Sequence, residues 1–201
     1  MKSQILFDAE SHTYSHLGVP VPSVTTVLKD VGMIDFSAVR DDVLLKAMER
    51  GTGIHKALEM INKGEAEMDW FETHRPDLAP YLASAMKFQE EMRVQFIEME
   101  VRVFHERLLY AGTLDAIARI NGVDYVLDFK SGSPQRWHSV QLAAYESAYT
   151  EDEDWPAHAA PMGRACVYLS PGKYRFNEYI GVGDFDVFFS ALRVFNFKRR
   201  G

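Results

Sequence analysis

Asn121-Gly122 stands between two alternating apolar runs and most tightly constrains how the chain can fold. This dipeptide is the strongest short-range hairpin signal, because both turn residues tolerate positive φ. A two-residue loop makes Ile120 face Val123, and pairing then proceeds outward one residue at a time. Asp115 and Asp128 fall directly opposite each other, with Lys130 two residues further along on the same face. The other face tests this register. There Leu114, Ala116, Ala118 and Ile120 lie beside Phe129, Leu127, Tyr125 and Val123, all apolar, as a core-facing sheet surface requires. Asp115, Ile117 and Arg119 share the opposite face with Asp124, Val126, Asp128 and Lys130. A one-residue slip would destroy this separation.

Directly opposed side chains have Cβ atoms roughly 4.5–5.5 Å apart, and like charges there are destabilising. Two carboxylates so placed need a compensating cation. Lys130 supplies one, and a hard divalent metal held by oxygen ligands, Mg²⁺ or Mn²⁺, would supply more. From the hairpin alone, a solvated face with an ordinary Asp–Lys pair remains the competing reading.

The 201 residues suit one domain, 1–201, with an N-terminal hairpin and helical region (1–95) leading into a core (96–201). The single cysteine, Cys166, excludes an internal disulfide framework and any four-cysteine zinc or iron–sulfur site. It reads as a buried small hydrophobe in a strand over 164–169. No apolar run is long enough to span a bilayer, and the first residues lack a signal-peptide apolar region, so a cytoplasmic setting is expected. The net charge of −7 weighs against nucleic-acid binding, for which a basic surface is the usual footprint. Carboxylates around a metal are counted in that sum although the ion neutralises them. Basic residues are also segregated locally, with Arg136 after the hairpin and Arg193, Lys198, Arg199 and Arg200 near the end.

Along the chain, 5–10 and 12–17 read as paired strands, followed by an extended 18–22. Ser23 caps a short helix over 24–31 that Gly32 ends. Residues 37–62 have helical spacing, with Val39, Val43, Leu44, Ala47, Ile54, Leu58 and Ile61 as the apolar stripe and a break at Gly51 and Gly53. A polar connection is expected over 63–76, a helix over 80–95 and a strand over 96–106. After the 111–130 hairpin come a helix over 139–149, an acidic loop over 151–154, a hairpin over 163–180 and a helix over 184–198. The last helix carries Phe185, Phe188, Phe189, Leu192 and Phe195 for the core. This order predicts an α/β protein with a mixed β-sheet flanked by α-helices.

The set Asp115 … Asp128-Phe129-Lys130 resembles the PD-(D/E)XK nuclease superfamily. Arg50-Gly51-Thr52-Gly53-Ile54-His55 is similar to the upstream helical motif of its RecB-like branch. Gln141-Leu142-Ala143-Ala144-Tyr145 is similar to the Q-x-x-x-Y motif that follows the catalytic lysine there. Pro22-Ser23-Val24-Thr25-Thr26-Val27-Leu28 resembles the opening of the mitochondrial genome maintenance exonucleases and of related phage exonucleases. The likeness runs from about residue 12 to about residue 150. Leu114 stands where the superfamily's name-giving proline would be. The four cysteines of the iron–sulfur members are missing, so no such cluster is implied.

The resemblance implies a restriction-endonuclease-like fold and a Mg²⁺- or Mn²⁺-dependent DNA exonuclease acting on single-stranded or free DNA ends. It implies metal ligation by His55, Asp115, Asp128 and the Phe129 carbonyl, and catalysis by Lys130 with the two aspartates. Glu100, or Glu98 of the same parity, is a further acid for the metal or a bound water. Gln141 and Tyr145, one helical turn apart, would contact the DNA backbone or brace Lys130. Arg136 and Trp137 would meet phosphate and base. Two rivals are a structure-specific or nicking endonuclease, and a catalytically silent DNA-binding protein of the same fold. A third is a metal enzyme acting on another phosphate ester. His12, His16, His74, His105, His138 and His158 fall into no ligand spacing.

Overall fold

The computed structural model describes residues 5–9, 11–151 and 161–199. Glu10, His158, Arg200 and the acidic positions 152–154 therefore lie outside the described residues. The chain is a mixed α/β protein with two sheets. Strands β1 (Ile5–Asp8), β2 (Thr13–His16) and β3 (Val19–Val21) form a small antiparallel sheet, as the 5–22 pattern predicts. Helix α1 (Val24–Asp30) follows. Ser23 accepts a hydrogen bond from the Thr26 amide at 3.0 Å, and Gly32 leaves the helix at φ +78°.

Helix α2 (Asp41–Asn62) runs unbroken through Gly51 and Gly53, where the sequence predicts an interruption. Tertiary packing outweighs the glycine propensity penalty of roughly 1 kcal/mol. A Cβ on Gly53 would come within 2.9 Å of Leu78, so this glycine lets α2 approach the start of α4 (Ala79–Glu91). The expected apolar stripe is buried only in its second half. Ile54 and Leu58 are enclosed, but Val39 and Val43 are 39% and 50% exposed. The polar connection contains a short helix, α3 (Met68–His74), anchored by buried Phe71. One buried aromatic in seven residues leaves too little periodicity to reveal it. Helix α4 ends at Glu91, and Gln95 already begins a strand.

The main sheet has the order β4 (Gln95–His105), β5 (Tyr110–Ile120), β6 (Val123–Lys130), β7 (Gly163–Ser170), β8 (Lys173–Glu178). Among the described strands of this sheet only β6 and β7 pair in parallel, and α5 (Trp137–Thr150) lies between them in the chain. The last helix is α6 (Gly183–Lys198). Helices α1, α5 and α6 cover one face of the sheet around Tyr110, Ile117, Val126, Leu142 and Phe188. Helices α2, α3 and α4 cover the other around Ala116, Ala118, Leu127 and Phe129. Ile117 and Val126 are fully enclosed, so the hairpin face that carries Asp115 and Asp128 is a second core face, not the solvated face of the competing reading. No described helix is long and apolar enough to cross a membrane.

The β5–β6 hairpin has the register deduced from Asn121-Gly122, from Ile120 opposite Val123 to Ala116 opposite Leu127. There the ladder stops. Beyond it β5 stays paired with β4 as far as Tyr110, while its other edge receives the N-terminal segment, with the Ala111 amide donating to the Pro22 carbonyl at 3.0 Å. Leu114 is the casualty of this parting. It packs with Ile117 and Val126 instead of continuing the Ala116 face, although the β4 ladder still pairs it with Val101. The functional residues gather in this fork.

Candidate metal centre

Asp115 and Asp128 occupy the first position past the ladder, buried to 7% and 3% exposure. The Asp115 carboxylate lies between the strands: its Oδ2 accepts the Phe129 amide at 2.6 Å, where the backbone ladder would otherwise continue. Its Oδ1 faces His55 Nδ1 at 3.2 Å. His55 projects from the buried half of α2, and its Nε2 lies 2.8 Å from the Phe129 carbonyl. Both ring nitrogens thus face oxygen acceptors, an arrangement that suits the doubly protonated ring. Burial alone would favour the neutral ring. The charges of Asp115 and Asp128 prevail and push His55 up to about 9.

Glu100 is the third member. It sits on β4 at φ +50°, a conformation non-glycine residues adopt sparingly, just after the register shift between Phe96 and Glu98. The two glutamates diverge: Glu98 accepts a hydrogen bond from Tyr149 on α5 at 2.8 Å, while Glu100 turns toward His55 and Asp115. Burial and the Asp115 charge raise Glu100 to about 7. His55, Glu100 and Asp115 each offer one ligand atom, all within 4.8 Å of one another. Two carboxylates and one imidazole are a donor set that fits a divalent cation.

Asp128 has a different partner. Its Oδ2 pairs with Lys130 Nζ at 2.5 Å, above the buried Cys166 thiol. Burial raises Asp128 to about 6, against the pull of the Lys130 charge. Burial would likewise favour a neutral amine at Lys130, but Asp128 and Asp115 hold it above the usual lysine value. It is an ammonium, and its role is that of a donor. Gln141 Oε1 accepts from Lys130 at 3.2 Å, and Gln141 Nε2 donates to the Tyr145 hydroxyl at 3.1 Å. Both α5 residues are buried, so of the two roles open to them they fill the bracing one. Trp137 lies under the lysine, 5.5 Å from Nζ to the ring centre, and Arg136 is exposed beside it.

Two contributors have no role assigned by the motif reading. Arg50, one of the quoted motif residues, reaches from α2 to Ser131, with Nε 3.4 Å from its hydroxyl, and packs over Tyr81. Gly112 gives Tyr145 its seat: a Cβ there would stand 2.4 Å from the tyrosine ring. A glycine inside a strand does signal close approach by another group, but not by which one. Gly112→Ala should therefore displace Tyr145 and loosen Gln141 and Lys130. We expect a stability loss of about 1–3 kcal/mol. The loss should shrink when Tyr145→Leu is combined with it, as a urea double-mutant cycle would measure.

No family model and no curated protein matches the chain. Among solved structures it is similar to the crystal structure of SSO0001, at 16% identity over 71% of each chain, with a TM-score of 0.33. That likeness is too slight to bear on fold or function, so the site's own chemistry must carry the assignment.

Proposed function

We propose that the chain is a Mg²⁺- or Mn²⁺-dependent deoxyribonuclease of the PD-(D/E)XK, RecB-like type, acting as an exonuclease on single-stranded or free DNA ends. The observation that carries this reading is the convergence of His55, Glu100 and Asp115 beside an ammonium group held by two partners. His55, Glu100 and Asp115 would hold the cation, with Asp128 and the Phe129 carbonyl as the further ligands that the motif resemblance implies. When bound, such an ion polarises a phosphoryl oxygen and lowers the pKa of coordinated water.

The protein's own groups supply the rest. Hydrolysis of a phosphodiester gathers negative charge on the phosphoryl oxygens as water attacks. Lys130 donates a hydrogen bond toward that charge or to the attacking water, and a preorganised donor counts most in a site closed to solvent. Asp128, Gln141 and the Trp137 ring fix where its Nζ stands. Arg136 and Trp137, at the start of α5, meet the strand being cut. A protein that merely bound DNA would have no use for buried carboxylates aimed at a common point.

The test is digestion of end-labelled linear and circular single-stranded DNA with Mg²⁺, Mn²⁺ or EDTA. Metal-dependent release of short labelled products from the linear substrate alone is expected. Nicking of the circle would mark an endonuclease, and binding without cleavage under all conditions would sink the enzyme reading.

A further inference from the structure

A second site lies away from the metal centre. A cavity of about 600 Å³ opens between the β4–β5 connection and the second half of α6. Leu109, at its edge, is six residues before Asp115, about 20 Å along an extended strand. The volume is within the range of ligand pockets.

Its walls are of two kinds. Leu108, Leu109 and Phe189 supply an apolar surface, and Arg107, Arg193 and Arg199 supply three guanidinium groups. Leu108 and Leu109 are 38% and 54% exposed, so both leucines present apolar area to solvent. Leu109 also holds φ +54°, a conformation that glycine or asparagine would adopt more cheaply. Arg107 pairs with Glu151 at 2.5 Å and Arg199 with Asp30 at 3.0 Å. Arg193 is exposed and has no ion-pair partner among the described residues.

We propose that this cavity binds a peptide segment of a partner protein that carries several carboxylates beside an apolar anchor residue. Charge complementarity selects the acid, because guanidinium groups engage carboxylates through paired hydrogen bonds. The leucine-rich wall selects an apolar side chain over a nucleobase. Single-stranded nucleic acid is gripped chiefly by aromatic faces, and this lining offers one. Arg193 is open to a new carboxylate, and Arg107 and Arg199, already paired with Glu151 and Asp30, flank it, which gives an acidic partner a defined address. The inference is independent of the nuclease reading, since no ligand of the metal centre takes part.

Fluorescence anisotropy in EDTA with a labelled hexapeptide, four aspartates followed by leucine and phenylalanine, tests it. Saturable binding is expected, weakened roughly tenfold or more by Arg193→Glu and by replacing the peptide's aspartates with asparagine. Leu109→Asn should weaken it too while leaving the melting temperature undiminished, because asparagine relieves the backbone conformation. Metal-dependent DNA hydrolysis should be unchanged in Arg193→Glu. Absence of saturable binding, equal affinity for the Arg193→Glu protein, or displacement by an oligothymidylate whose own binding is lost in that variant would overturn the proposal.

Discussion

Lys130→Met should reduce DNA hydrolysis by about 10²–10³-fold or more while leaving DNA binding largely intact. Methionine keeps the length and apolar stem of the side chain but removes the ammonium that pairs with Asp128 at the fork. The substitution strands Asp128, which is 3% exposed and pairs with that ammonium at 2.5 Å. An unpaired buried carboxylate ordinarily threatens the fold. Here burial already raises Asp128 to about 6, so it can take up a proton and remain neutral. The variant should fold, as circular dichroism and thermal melting would verify, and bind labelled DNA in the presence of Ca²⁺. Undiminished turnover would remove Lys130 from the chemistry.

The second large effect is a proton release coupled to metal binding. In the metal-free protein, burial works against the His55 charge, but Asp115 and Asp128 outweigh it and raise the ring from 6.5 to about 9. Burial and the Asp115 charge raise Glu100 from 4.5 to about 7. For His55, the stabilisation is complete below pH 6.5 and is lost as the pH climbs to about 9. Glu100 acts in the same direction, its ionisation costing stability between pH 4.5 and about 7. The metal-free protein should therefore melt at lower temperature at pH 9 than at pH 6.5. A metal ion needs neutral imidazole and ionised carboxylate, so binding near neutrality must expel protons. Mn²⁺ affinity should then rise by up to about tenfold per pH unit for each proton released. Calorimetry in two buffers of different ionisation enthalpy would count the protons. A pH-independent affinity would contradict the proposed ligand set, and Asp115→Asn should abolish most of the binding.

How much of this was legible in the residues depends on the range of the interaction. The Asn121-Gly122 turn is local, and its register, present in the ladder from Ile120–Val123 to Ala116–Leu127, points to Asp115 and Asp128 as the next position, with Lys130 following. Ser23 and Gly32 bounded α1 for the same reason. The fork could not be read, because it arises where the Pro22 segment competes for the edge of β5, an encounter between residues far apart in sequence. The continuity of α2 was also hidden, since the contact of Gly53 with Leu78 is tertiary. Within the site, His55 was found by motif alone. Glu100 and Glu98 could not be told apart by parity, because the irregularity of β4 turns them to different neighbours. The bracing of Lys130 by Gln141 was one of two roles open to that residue, and burial of the glutamine chose between them.

The unbroken run of α2 has a mechanical consequence. Arg50, which reaches Ser131 just after the lysine, and His55, which reaches Asp115 and the Phe129 carbonyl, stand on one stiff rod with no joint between them. Any push on the uncovered leading turns of that rod is delivered to both contacts at once. The His55 contacts with Asp115 and Phe129 and the Arg50 contact with the loop beyond β6 must then tighten or slacken together.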